Sequence, residues 1–482
     1  MTIMTSEKWR DLLLPIVIFV AVIGLKLPAL QTPYYWDEMG AYVEPSYWLS
    51  QHGLVNALPG FHPQDMFFGH PPVLYTLVAL FFKLGGTSRS GPHLLTCVFA
   101  FLGCYFTYSL GKLLYGRHVG LASAAILFAM PLYFSQAGMV LGDIPVAALG
   151  AMTVFYYLSR CYPAFLLSGF CLVMVKETGM AIVVAVVVYQ LLTDWKEKFK
   201  FRRALLLAMP LVPLAIFFAV QKVATGSLLP NPYFNANDFA TFSPSSLLLK
   251  GGFTIYTVFF AQFRFLLILA IIAGIIVCRQ EIFRPELLLF GFIAIFFIGT
   301  FAVIYFLPRY SIPLLPYLSI TAAAALFSLC KNIKSAWMAT TFCLLLFMLA
   351  MHGDSVLRKL MPGKSSRVVN FETNMDYLDV VWTYQQAGAY LERNFSHTPI
   401  FAPWPLSQAY NSPYLGYISR PLRMVPNPET AQVIVFSEQS KESELLLLDK
   451  IIKVNGLKPL QVYAKHGKST SIYLLPRGGK AD

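Results

Sequence analysis

Apolar runs of about 13 to 25 residues recur along most of this chain, parted by short loops that hold much of its Lys and Arg. No soluble core accommodates such a series, so the chain is expected to cross a membrane many times. The runs cover approximately Leu12–Leu30, Leu94–Leu114, Val119–Phe134, a stretch from Asp143 to near Arg160, Pro163–Val175, Gly179–Leu192 and Ala204–Val223. Phe253–Val277, Leu287–Phe306, Ile312–Leu329 and Trp337–Met351 follow. Pro71–Leu84 is short and follows Pro-Pro, and it reads as an interfacial helix lying on the bilayer. The first run follows Lys8 and Arg10 and precedes no small-residue cleavage site, so it reads as an uncleaved span.

Composition agrees: 57% of the 482 residues are hydrophobic and 13% charged, outside the range of soluble domains. The net charge of +13 would suit a nucleic-acid partner. The basic residues instead gather in short loops, most densely at Lys196, Lys198, Lys200, Arg202 and Arg203. That is the positive-inside pattern, and no nucleic acid is expected. It places the N-terminus in the cytoplasm and the C-terminus outside. The seven cysteines (Cys97, Cys104, Cys161, Cys171, Cys278, Cys330, Cys343) lie in or beside apolar segments without CxxC spacing, so neither zinc nor a disulfide framework is indicated.

From His352 onward the composition turns polar. Asp379–Asn394 and Ser443–Val454 read as helices, Gln432–Phe436 and Ser471–Leu475 as strands. The fold class is therefore a polytopic α-helical membrane protein of about eleven transmembrane helices plus interfacial helices. Residues 1–351 form the transmembrane domain and 352–482 a small extracytoplasmic α/β domain.

Topology drawn from Lys and Arg brings Asp37, Glu38, His62, Asp65, His70, Asp143, Lys176, Glu177, Arg309 and Tyr310 to one side. Adjacent carboxylates so near a bilayer need a task or a partner. Each residue also has a bland reading. Asp37 and Glu38 suit a helix N-terminus, and His70 and Asp143 could cap. Lys176 could pair with Glu177, and Arg309 could reach for headgroups. Tyr34, Tyr35 and Trp36 fit an interfacial aromatic belt as well as a sugar platform. His62 and Asp65 read as solvated loop residues rather than metal ligands.

The order Asp37-Glu38, His70-Pro71-Pro72, Gly142-Asp143-Ile144-Pro145, then Arg309-Tyr310 before Leu315-Pro316 resembles the membrane-embedded C-type glycosyltransferases. It is most similar to family 39, which holds the protein O-mannosyltransferases and the lipid A aminoarabinose transferases. The resemblance covers roughly Trp9 to Met351, and His93 stands about where relatives often carry Arg. It implies a polyprenyl-phosphate-linked sugar as donor and a protein hydroxyl, lipid A or a glycan as acceptor, within the plasma (bacterial inner) membrane. Inverting transfer needs a carboxylate to take the acceptor's proton. The resemblance implies Asp37 for this, with Glu38 the alternative and Asp143 a further catalytic candidate. His70, Lys176, Arg309 and Tyr310 would hold the donor phosphate, and Tyr35, Trp36 and Glu177 would bind substrate. Membrane lipids surround the protein. No cofactor is expected, and a divalent metal is left open. The alternative function is a lipid-linked sugar flippase or other multispan transporter, in which related halves and broken helices would meet at mid-membrane.

Overall fold

The computed structural model describes residues 6–63, 66–67, 69–193, 200–228, 244–303, 307–352, 372–439 and 442–475. It is mostly helical, with a small sheet near the C-terminus. Among the described residues, Leu13–Gln31, Ser90–Tyr115, Pro308–Leu329 and Ile333–Ala350 are long and apolar enough to cross a membrane singly, and two bent pairs qualify jointly. The expected total of about eleven spans would require Arg117–Ala129, Asp143–Leu158, Tyr162–Val175, Glu177–Thr193 and Glu286–Ala302 to cross as well. Val73–Gly85 is the short helix expected after Pro71-Pro72.

Where helices pack most tightly, small residues permit it. A Cβ on Gly111 would lie 2.8 Å from the Cα of Gly120, and one on Gly120 would lie 2.5 Å from the Tyr108 carbonyl. The hairpin of Ser90–Tyr115 with Arg117–Ala129 thus depends on backbone-to-backbone contact.

Two expected spans are broken. Periodicity predicts one span over Ala204–Val223, but the helix bends by 53° between Ala208 and Leu211, where Pro210 supplies no N–H. It also predicts one span over Phe253–Val277. The structure divides this into Pro244–Phe259 and Arg264–Val277, bent by 84°. Arg264 explains the break. Its buried guanidinium donates to the carbonyls of Val258 (3.0 Å) and Thr257 and to Gln262 Oε1, satisfying helix-end acceptors that apolar surroundings would leave bare. Gln262 and Phe263 turn the chain through positive φ of 55° and 65°. Polar residues inside an apolar run, Gln262 and Arg264, were the available signal.

In the C-terminal region helix Tyr377–Asn394 packs on a sheet of four strands: β1 (Ile400–Phe401), β2 (Val433–Ser437), β3 (Gln461–Lys465) and β4 (Lys468–Leu474). Their order is β1-β2-β4-β3, with β1 parallel to β2 and the remaining pairs antiparallel. The two-residue turn at His466-Gly467, both at positive φ, matches the twist of the β3-β4 hairpin. The sequence reading contains β2, β4 and both helices but not β1 or β3.

This region does not sit apart. Tyr377, Val380, Tyr384 and Leu406 share one apolar core with Tyr34, Tyr35, Val78 and Leu141. The Tyr34 N–H donates to the Leu415 carbonyl at 3.1 Å, the Tyr417 hydroxyl donates to the Tyr34 carbonyl at 2.9 Å, and Tyr47 stacks on Tyr414 with centroids 4.2 Å apart. The stretch leading into Asp37 is therefore held from both sides.

Candidate active site

The chain reverses sharply at Trp36, a non-glycine residue at φ 50°, a conformation that surrounding packing must hold in place. Its indole meets Trp404 at 4.7 Å between centroids. A single π-helical stretch, Glu38–Val43, follows, a bulge of the kind common at functional sites. The reversal sends neighbouring side chains in opposite directions. Tyr35 is wholly buried and packs against Tyr377 at 5.5 Å, so its ring offers no open stacking surface. Asp37 is the more open carboxylate, with 28% of its side chain exposed, whereas Glu38 has 3%.

Glu38 faces inward. It accepts from the Tyr35 N–H at 2.9 Å and from the Val140 N–H at 2.6 Å, tying the Asp37 stretch to the loop before Asp143. Burial pushes its carboxyl up to about 8 against those two donors. His93 lies beside it. Nδ1 donates to the Ala29 carbonyl at 2.8 Å, leaving Nε2 at 3.6 Å from Glu38 Oε1 and, among the described residues, without a hydrogen-bond partner. His93 is thus an internal neighbour of Glu38.

Asp37 joins a different group. Arg309, seated in the 3₁₀ stretch Pro308–Leu314, spreads its guanidinium over three carboxylates. Nη2 meets Asp37 at 2.5 Å, Nε meets Asp143 at 3.2 Å, and Nη1 meets Glu372. Lys176 Nζ completes the cluster 2.6 Å from the other oxygen of Asp143 and 4.4 Å above the Tyr310 ring. These residues come from the end or start of four helices and from the segment before Tyr377.

Several bland readings lose ground here. Asp37 makes no side-chain capping bond to its helix, and Asp143, the first residue of its own, is engaged by Lys176 and Arg309. Lys176 and Glu177 part company, Lys176 to Asp143 and Glu177 to His70 Nδ1 at 2.9 Å. Arg309 is buried rather than reaching for headgroups. His62 donates to the Pro63 carbonyl, and Asp65 lies outside the described residues. Among the described residues no group of three His, Cys, Asp or Glu side chains is placed to hold a metal ion.

Glu372 is the member that sequence reasoning misses. It stands in a polar stretch with no motif. Its backbone carbonyl is held by Ser135 Oγ at 3.0 Å and Gln136 Nε2 at 2.8 Å, and next to it Gln262 Nε2 donates to the Thr373 carbonyl at 2.7 Å. The bend stapled by Arg264 thus reaches the site.

Gly142 offers a way to disturb the cluster without changing its charges. A Cβ there would lie 2.9 Å from the Tyr42 hydroxyl and 3.1 Å from Lys176 Cδ. Gly142→Val is expected to displace Lys176 from Asp143 and lower turnover by up to about 10²-fold, as misplacement of about 1 Å can. Wild-type turnover in this variant, with its melting midpoint unchanged, would show that the pair tolerates displacement.

Residues 69–220 match the family model described as dolichyl-phosphate-mannose-protein mannosyltransferase, a stretch containing His70, Asp143, Lys176 and Glu177. The fold is similar to ArnT from Cupriavidus metallidurans over nearly all of both chains. The crystal structure bound to undecaprenyl phosphate gives a TM-score of 0.57 at 15% identity, covering 97% of this chain and 98% of that one. The apo crystal structure gives 0.55 at the same identity and coverage. No curated protein matches in sequence. The family model over residues 69–220, the fold shared with ArnT and the order of motifs agree in their likeness to the membrane-embedded C-type glycosyltransferases.

Proposed function

We propose that the protein transfers a sugar from a polyprenyl-phosphate-linked donor to an oxygen acceptor at the outer face of the membrane, in one inverting displacement with Asp37 as base. The observation that carries this reading is the ion cluster: an accessible carboxylate, Asp37, bound to a buried guanidinium that can grip phosphate oxygens in parallel. In the displacement the acceptor oxygen forms a bond to the anomeric carbon while the bond from that carbon to the phosphate oxygen breaks. The acceptor's proton passes to Asp37. The polyprenyl phosphate leaves as an anion, so it needs cations and not a general acid. Arg309 and Lys176 supply them, with His70 at the rim. Undecaprenyl phosphate bound to ArnT, which shares the fold, supports a prenyl phosphate donor.

Incubation of purified protein with a panel of polyprenyl-phosphate sugars is expected to release polyprenyl phosphate from at least one. Movement of an intact lipid-linked sugar between leaflets, without cleavage, would return the transporter reading.

The outer-face assignment rests on the basic loops. Reporter fusions after Lys200 and at the C-terminus are expected to report cytoplasm and exterior respectively. Both on one side would overturn the topology.

A further inference from the structure

The charges around Arg309 do not leave room for another anion. Arg309 and Lys176 face three carboxylates, Asp37, Asp143 and Glu372. The cluster is therefore one negative charge in excess before any phosphodiester arrives, and it is largely shielded from solvent screening. A further negative charge can be accepted only if one carboxylate gives up its charge or its place. Asp143 is held by both cations, and Asp37 is the proposed base. Glu372 is the least well held: one oxygen meets Arg309, and the other, Oε1, is buried and among the described residues has no hydrogen-bond partner.

We propose, resting on the donor reading above, that Glu372 is a proton-linked gate on the lipid-phosphate site: it occupies Arg309 until an anionic phosphodiester replaces it, and it yields by taking a proton on its carboxylate. The backbone of Glu372 need not move, since its carbonyl stays with Ser135 and Gln136. Only the side chain must turn. The proton comes from solvent and resides on Glu372, and the freed Nη1 donates to a phosphate oxygen.

The groups facing Glu372 agree. Burial raises its carboxyl to about 7, against the pull of Arg309 and reinforced by Asp37 and Asp143. Glu38, Tyr35 and Tyr377 face it electrostatically as well; the carboxyl of Glu38, raised by burial, and the neutral phenols add no cation to hold it ionised. Below neutrality Glu372 is already protonated and binding costs no further proton. Above neutrality each ligand bound must bring one proton in, so affinity falls about tenfold per pH unit. The gate also links the C-terminal region to the donor, because Glu372 leads directly into helix Tyr377–Asn394.

The test uses the full-length protein in lipid nanodiscs and the methyl ester of a short polyprenyl phosphate, whose single charge does not titrate in this range. Binding is measured calorimetrically from pH 6 to 8.5 in buffers of different ionisation enthalpy. Wild type is expected to take up close to one proton per ligand above neutrality and to lose affinity about tenfold per pH unit. Glu372→Gln is expected to bind about tenfold more tightly at pH 8, with no uptake and a flat profile. Glu372→Ala should share that flat profile, and melting curves identify any variant that fails to fold. Arg309-dependent binding with no proton uptake, or an unchanged slope in Glu372→Gln and Glu372→Ala, would overturn the gate while leaving the donor reading intact. Wild-type affinity in a folded Arg309→Ala protein would instead overturn the donor reading.

Discussion

Asp37→Asn is expected to lower turnover at saturating donor by about 10²–10⁴, the contribution of one positioned base. Asn keeps the size of the side chain and can still accept from Arg309, but it cannot take the acceptor's proton. Donor affinity should change far less, because the phosphate is held by Arg309 and Lys176. Exposure distinguishes Asp37 from Asp143, Glu372 and Glu38, while Glu177, at 22% exposed, differs from it by its partner. The Asp37 side chain is 28% exposed, against 4% for Asp143 and 8% for Glu372. Glu38 turns inward and Glu177 is engaged by His70. Glu38→Gln should therefore act through the shape of the Asp37 stretch. It replaces an acceptor of two backbone N–H groups by a side chain that can accept through one atom only, at a stability cost of about 1–3 kcal/mol. Near-normal turnover in a folded Asp37→Asn protein would remove the base from Asp37.

Arg309→Ala should have the second large effect, on both donor use and stability. It leaves Asp37, Asp143 and Glu372 facing Lys176 alone, and breaking a buried ion pair by removing one partner typically costs about 3–5 kcal/mol. Arg309→Lys restores the charge but not the fork. One ammonium cannot reproduce the separate contacts that Nε, Nη1 and Nη2 make with three carboxylates, so rescue should be partial. Donor titrations with paired melting curves separate the two effects. Arg309→Ala with wild-type donor kinetics would exclude it from the phosphate site.

Much of this arrangement is legible in the sequence because its signals are chemical and local. Apolar runs and basic loops announce a multi-pass protein, and short motifs mark Asp37, His70, Asp143 and Arg309 as candidates for one place. What is not legible is pairing. Nothing in the spacing says that Lys176 turns to Asp143 rather than to its neighbour Glu177. Nothing marks Glu38 as an internal clamp, since two adjacent carboxylates read alike until the reversal at Trp36 separates them. Tyr35 reads as a platform only until Tyr377 is seen to cover it. Glu372 is invisible for a different reason. It follows the last apolar run in a polar stretch with no periodicity, and its importance comes only from the fold bringing it to Arg309. Both bends have an unused signal in the sequence, Pro210 within one apolar run and Gln262 with Arg264 within the other.

A single displacement assisted by one carboxylate leaves its record in the anomeric configuration of the product. With a donor of known configuration and an accepted acceptor, the new glycosidic bond is assigned by NMR from its anomeric coupling. A single displacement inverts the anomeric carbon, and inversion is the expected result. Retention would require a covalent intermediate or a second displacement and would contradict it.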